Sequence, residues 1–142
     1  MATIIKGSDN FNTNDVASQT ELDAKVQTAI VTVNGGANIA ANSRYVEVNP
    51  FGNTNYEKCL VKTQVWSSEV SEWMETIWST HTTITQSYGF VAYSTPEGIV
   101  VQTANTSIVH NGPSYGGASI DLVNDITSAP CRVIVTYVKG VA

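Results

Sequence analysis

The chain has 142 residues, a net charge of −5 and only 13% charged residues, which is about half the usual fraction. Its length predicts one domain with one hydrophobic core. The acidic balance and the lack of any Lys/Arg run exclude nucleic-acid binding through phosphate contacts. No apolar run is long enough to predict insertion into a membrane.

The first 30 residues differ in character from the rest. Residues 1–15 are rich in Asn and Asp and show no periodicity, which is typical of an extended arm. A capping-box sequence at 18–21 then precedes Leu22, Val26 and Ala29 at helical spacing. We predict a short helix here whose narrow apolar stripe contacts other copies of the chain. A lone helix that covers a sheet edge is the alternative.

From residue 30 onwards, short β-type runs alternate with turn sequences. Their abundant Val and Thr suit a pleated, half-buried surface. The predicted strands are 29–33, 45–48, 56–66, 88–94, 98–103, 118–123 and 131–138, with turn signals at 34–36, 49–53 and 95–97. We therefore predict an all-β protein, in which residues 31–142 form a β-sandwich or jelly-roll-like domain after an arm and short helix at 1–30.

The last predicted strand is apolar on both faces. Residues 131–138 alternate in the period of a strand, with one face fully apolar and the other mostly so. A strand of this kind has to lie inside something, either a sandwich or an assembly.

The segment 67–80 has two interpretations. Val70, Trp73, Met74, Ile77 and Trp78 fall at helical spacing and predict an amphipathic helix. A hairpin that turns near 67–69 is the rival interpretation, because Trp, Ile and Thr are frequent here.

Two cysteines, Cys59 and Cys131, each begin a predicted strand. A disulfide between neighbouring strands is one possibility. Two free, buried thiols are the interpretation we favour, because the first residues lack the apolar segment of a secretion signal.

Few residues are candidates for chemistry. Gly112–Gly116 matches the G-x-S-x-G pattern around Ser114, but a strand-to-helix context is missing, so a serine hydrolase is a minor alternative. His81 and His110 lack partners at ligand spacing, and we predict no metal, no cofactor and no catalytic residue. The loop after residue 109 suits binding better, and its candidate residues are His110, Asn111, Ser114 and Tyr115.

Three stretches carry a resemblance to a known group of proteins. They are 88–92 (YGFVA), 97–103 (EGIVVQT) and 127–133 (TSAPCRV), with a Gly-rich loop before the last. In this order they resemble the C-terminal tip domain of tailed-bacteriophage fibre and virion-surface proteins, over roughly residues 56–140. The resemblance implies a Trp-containing hairpin at 66–78, which favours the hairpin over the helix.

The resemblance also implies a function. Proteins of this kind are non-enzymatic virion proteins, usually trimers, that contact other capsid or tail proteins and in some cases host cell-surface glycans. This chain has no long shaft, which favours a short head fibre or a capsid decoration protein over a tail fibre. We expect it on the virion surface, assembled in the host cytoplasm, with residues 1–30 as the attachment segment. A free-standing lectin-like carbohydrate-binding protein is the alternative.

Overall fold

The computed structural model describes residues 25–75, 79–80, 85–110 and 124–139 of the chain. In this part the regular structure is almost entirely β, which confirms the predicted all-β class. The strands are β1 Val26–Thr32, β2 Ile39–Ala40, β3 Arg44–Glu47, β4 Cys59–Ser67, β5 Glu72–Met74, β6 Ser79–Thr80, β7 Ser87–Tyr88, β8 Phe90–Thr95, β9 Gly98–Thr103, β10 Ser128–Ala129 and β11 Cys131–Val138. Short 3-10 segments occupy Val33–Gly36 and Asn53–Lys58. A search of the described residues for a helix able to cross a membrane finds none.

Two antiparallel sheets form the body of the domain. One has the strand order β1-β11-β4-β5 and the other the order β3-β9-β8. Two ribbons, β2-β10 and β6-β7, complete the described part. The two larger sheets pack against each other because each has an apolar face to bury, which is the arrangement of a β-sandwich.

The core lies between the two larger sheets. Val133 and Val135 of β11 are fully buried, as are Ile99 and Val101 of β9, and all four belong to one hydrophobic cluster. The residues between Cys131, Val133 and Val135 are only half-buried. The alternation along β11 therefore assigns its odd-numbered residues to the inside of the sandwich.

The last strand lies inside the sheet, as the sequence predicts. On one side β11 pairs with β1, with Ile30 opposite Ile134. On the other side it pairs with β4, where Lys62 lies opposite Ile134. Its odd-numbered face is covered by the core, and its even-numbered face is turned away from the core.

The segment after residue 66 forms a hairpin. Strand β4 ends at Ser67, a turn follows, and β5 begins at Glu72. Trp66 lies directly opposite Trp73 in this hairpin. The helical interpretation is wrong for residues 67–75, because Trp66, Trp73 and Met74 gain cross-strand partners that an isolated short helix would lack. Ile77 and Trp78 lie outside the described residues.

The second predicted hairpin is also present. Strands β8 and β9 pair from Phe90 with Thr103 to Thr95 with Gly98, and the turn contains Pro96. The strand predicted at 118–123 lies outside the described residues.

The predicted helix is wrong at its C-terminal end. Val26 and Ala29 belong to strand β1 and pair with Val138 and Val135 of β11. Seven consecutive residues of β1 find partners on β11, whereas a two-turn helix with a narrow stripe is marginal on its own. Leu22, the first member of the predicted stripe, lies outside the described residues.

The chain leaves β1 through the predicted turn. Asn34 and Gly35 have positive φ values of 56° and 60°. Asn and Gly adopt this left-handed backbone at the lowest cost, which explains why the turn signal in the sequence was informative.

Candidate interaction surface

The even-numbered face of β11 belongs to a larger surface, which we call the outer face. It consists of the side chains of the β1-β11-β4-β5 sheet that point away from the core. Its residues are Val26, Thr28, Ile30, Thr32, Leu60, Lys62, Gln64, Trp66, Trp73, Arg132, Ile134, Thr136 and Val138. The assignment follows from the alternation of side chains along each strand.

One half of the outer face is apolar and open to solvent. Ile30 is 61% exposed, Leu60 69% and Val26 51%. The strand register brings these side chains together, because Val138 lies beside Val26 and Ile134 beside Ile30. A contiguous apolar patch on a sheet face is a common mark of a protein–protein contact.

The other half of the outer face is aromatic. Trp66 and Trp73 meet edge to face, with 5.6 Å between ring centroids. The guanidinium of Arg132 lies 4.1 Å from the centroid of the Trp73 ring, and its Nε donates a hydrogen bond of 2.8 Å to Gln64 Oε1. Trp and Arg are the residues most enriched among the energetically important positions of protein interfaces.

Lys62, one of the two charged residues of the outer face, is paired with a carboxylate. Lys62 Nζ lies 2.8 Å from Glu75 Oε1, and Gln64 Nε2 donates to the same oxygen. The hydrogen bond from Lys62, followed by that from Gln64, lowers the pKa of the Glu75 carboxyl. Lys62 lies opposite Ile134 within the face, and its pairing means that covering this surface would take an ion pair, not a lone ammonium group, out of water.

Apolar side chains are also exposed elsewhere in the described part of the chain. Val46, Val91 and Tyr93 lie on the β3-β9-β8 sheet. Polar contacts interrupt that surface, because Tyr93 Oη donates to Gln102 and Arg44 pairs with Glu97. The apolar side chains of the outer face are also the more exposed ones, because Val46, Val91 and Tyr93 are only 41%, 40% and 36% exposed.

The sequence-predicted binding residue His110 lies in a separate cluster. Its ring stacks on Tyr88 with 4.3 Å between centroids, and its Nδ1 lies 3.0 Å from Asp125 Oδ1. Nearby, Val109 and Ile126 form a β-bridge. The residues on either side of the segment 111–123 therefore lie close together. Tyr88 and Asp125 are neighbours of His110 that no pattern in the sequence groups with it.

The other predicted residues divide between two outcomes. Asn111, Ser114 and Tyr115 lie outside the described residues, as does Leu22. Val26 lies on the outer face, whereas Ala29 points to the opposite side of β1 because residues three apart in a strand face opposite ways. Val26 and Ala29 therefore cannot form one stripe. The predicted role of both residues in oligomer contact stays a prediction, and of the two only Val26 lies on the outer face.

The residues that dominate the outer face were not selected from the sequence. Ile30, Leu60 and Trp73 come from three different strands, and only the register of β11 with its neighbours brings them together. The one sequence signal was the second apolar face of the last strand.

A search of the described residues finds no group of three or more side chains suited to holding a metal ion. Comparison of the chain with protein-family models, with curated proteins and with solved structures finds no match.

Proposed function

We propose that this protein is a non-enzymatic structural protein of a tailed-bacteriophage virion, and that it assembles with other copies through the outer face. One observation carries the self-assembly part of the proposal, namely the exposed apolar area around Ile30 and Leu60. The virion part rests on the sequence resemblance. The number of copies and their position in the particle rest on the resemblance alone, which implies three copies of the protein in a short head fibre or as a capsid decoration protein.

The physical argument concerns the cost of leaving this face in water. Each Ile or Leu that moves from water into a contact contributes roughly 1.5–3 kcal/mol when it is fully buried. Ile30 and Leu60 are 61% and 69% exposed, so most of that contribution is still available. Assembly supplies the missing burial for a small domain whose own core is limited.

The composition of the face supports a lasting contact between protein surfaces. An apolar area beside a Trp–Arg cluster combines the two features that strong interfaces share. Of the two cations on the face, Lys62 is already paired with Glu75, and Arg132 lies over the Trp73 ring and donates a hydrogen bond to Gln64, so neither enters a contact without a partner.

A single substitution tests the proposal. Leu60→Lys introduces a charge in the apolar area, and Val48→Lys is its matched control, because Val48 is 79% exposed but lies off this sheet. Sedimentation at micromolar concentration should show an oligomer for the wild type and for Val48→Lys. Leu60→Lys should weaken association by about tenfold or more. A monomeric wild type would contradict the proposal.

A second candidate function is acyl transfer at Ser114. The observation in its favour is the pairing of His110 Nδ1 with Asp125, which is how a carboxylate orients the imidazole of a general base. A serine-reactive phosphonate probe separates the two functions. Labelling that disappears in Ser114→Ala and in His110→Ala would establish the hydrolase, whereas no labelling is expected for a structural protein.

A further inference from the structure

Strand β1 forms one edge of the β1-β11-β4-β5 sheet, and no other described strand pairs with its free side. Its seven residues, VQTAIVT, contain no charge, no Pro and no Gly. Proteins usually protect an exposed edge with one of these, because an open row of backbone groups recruits another strand. Strand β1 itself has neither a charged residue nor a proline to protect its edge.

The hydrogen-bond pattern shows which backbone groups are available on this edge. Lys139 N–H donates to the Lys25 carbonyl with a distance of 2.7 Å, and the register from Val26 opposite Val138 makes these two residues direct partners. Hydrogen-bonded positions alternate along an antiparallel pair, so the backbone N–H and C=O groups of the odd-numbered residues of β1 point towards β11. The N–H and C=O groups of Val26, Thr28, Ile30 and Thr32 therefore point to the free side.

We propose that a second copy of the chain adds its own β1 to this edge, antiparallel and about a twofold axis at Ala29. In this register Thr28 lies opposite Ile30 of the second copy, and Val26 opposite Thr32 of the second copy. All four even residues then form hydrogen-bonded pairs with one another. The match arises because the centre of β1 lies on an odd residue, which leaves the outward-facing positions symmetric around it.

Charge at the two ends of β1 favours the antiparallel arrangement. Exposed Lys25 and Lys139 lie at the beginning of the strand. Beyond its other end, the Asn34 N–H donates to the Glu47 carboxylate with a distance of 2.7 Å. Arg132 lies opposite Thr32 at the same end, but its guanidinium points away from β1, over the Trp73 ring. The twofold axis therefore brings the lysines of one copy towards Glu47 of the other, whereas a parallel pairing would bring like charges together.

This inference rests on the proposed self-assembly and adds a second contact to it, because pairing of the edges leaves Leu60, two strands away on β4, open for the contact through the outer face. The side chains of Val26, Thr28, Ile30 and Thr32 also lie on the outer face, so pairing the edges joins two outer faces into one larger surface. A twofold contact closes with two copies. The structure thus favours two copies, or an even number, over the three that the resemblance implies.

The first experiment blocks the edge without disturbing the domain. Thr28→Pro removes one N–H that points away from β11, a position where an edge strand tolerates proline. Thr28→Val keeps the N–H and the branched shape and serves as the matched control. In sedimentation at micromolar concentration, the wild type and Thr28→Val should contain two copies or an even number, and Thr28→Pro should dissociate at least about tenfold more readily. Equal dissociation of all three overturns the edge contact.

The second experiment tests the register and does not depend on proline. Thr28→Lys with Ile30→Glu places opposite charges across the twofold axis, whereas Thr28→Lys with Ile30→Lys places like charges there. Both variants lose the same two side chains, so only the cross-strand pairing differs. The Lys/Glu protein should remain a dimer and the Lys/Lys protein should not. Equal dissociation of the two contradicts the register.

Two further measurements separate this inference from the proposed function. If Leu60→Lys dissociates the oligomer while Thr28→Pro does not, or if the wild-type mass corresponds to three copies, the edge contact is wrong and assembly through the outer face stands. A monomeric wild type would contradict both the edge contact and the assembly through the outer face. Deletion of residues 1–24 should leave dimerisation unchanged. Stronger association after that deletion would mean that the chain's own N-terminal segment covers the edge, and would overturn the inference.

Discussion

Cys59 and Cys131 lie on paired strands but at opposite ends of the pairing. Cys59 is opposite Tyr137, and Cys131 is opposite Val65, so the two thiols are roughly 20 Å apart along the strands. Both cysteines are free. The antiparallel register therefore confirms the interpretation of two packed thiols and excludes the disulfide that neighbouring strands first suggested.

The burial of Cys131 predicts a loss of stability in alkali. Its side chain is 3% exposed, and burial, with a smaller effect of Glu47, raises the pKa of the thiol to about 12. The unfolded chain releases this proton at about pH 9, whereas the folded chain keeps it, so the folded state binds more protons between these two pH values. The free energy of unfolding should fall by up to about 1.4 kcal/mol per pH unit in this window through this group.

Urea unfolding of the wild type and of Cys131→Ala between pH 8 and about pH 11 measures this effect. The two proteins differ only at position 131, so the difference between the two slopes reports the thiol. The variant should be less stable at pH 8 but should lose less stability as the pH rises. Parallel curves would contradict the assignment.

Glycine is required at position 98, where the β8–β9 turn meets the neighbouring strand β3. Gly98 has a φ of 137°, and a Cβ there would collide with the Glu47 carbonyl oxygen. Gly98→Ala should therefore lower the free energy of unfolding by about 3 kcal/mol or more. Gly35→Ala is the matched control. Gly35 has a φ of 60°, but a Cβ added there would meet no atom within 4 Å beyond its chain neighbours, so the substitution should lower the free energy of unfolding by only ~1 kcal/mol. Thermal unfolding of both variants compares them, and similar costs would contradict the close contact.

Arg132 should stabilise the aromatic half of the outer face through its planar guanidinium. Arg132→Lys loses both the Nε hydrogen bond to Gln64 and the flat contact with Trp73. We expect the free energy of unfolding to fall by about 0.5–1 kcal/mol, measured in urea. Arg44→Lys is the control because its partner Glu97 is solvent-exposed, and no measurable change is expected. Equal effects at the two positions would count against a specific role of Trp73.

The sequence predicted strands well where one periodicity was unambiguous. Residues 131–138 alternate over their whole length, and β11 has the predicted bounds. Residues 22–29 were different, because Val26 and Ile30 share a face both in a helix and in a strand, while Ala29 shares it only in a helix. The local spacing of apolar residues favoured a helix, but these residues form strand β1 because they pair with β11, about 100 positions away in the sequence.

The outer face could not be predicted for a related reason. An apolar residue such as Leu60 looks the same in the sequence whether it faces the core or water. Its direction depends on which parity of β4 packs inward, and that depends on the register with β11. The candidate loop after residue 109 was chosen for its composition, and of its four candidate residues only His110 lies in the described part of the chain.

The predicted attachment segment, residues 1–30, overlaps strand β1. The sequence placed the boundary at residue 30, but β1 begins at Val26 and pairs with β11 along its whole length. Deletion of residues 1–24 should therefore leave a folded β domain, because the described pairs all remain. Deletion of residues 1–28 removes three residues from the β1–β11 pairing and should cost about 2–3 kcal/mol of unfolding free energy. Thermal unfolding of the two proteins measures the difference.

The same pair of deletions tests the proposed attachment role without confusing it with loss of fold. If residues 1–24 anchor the protein, the shorter deletion should stay folded and be absent from particles assembled in the host, because an extended arm gains its order and its main-chain hydrogen bonds only on docking. The full chain is the control for incorporation. A folded 25–142 protein that reaches particles at the same occupancy would mean that the β domain itself carries the attachment surface.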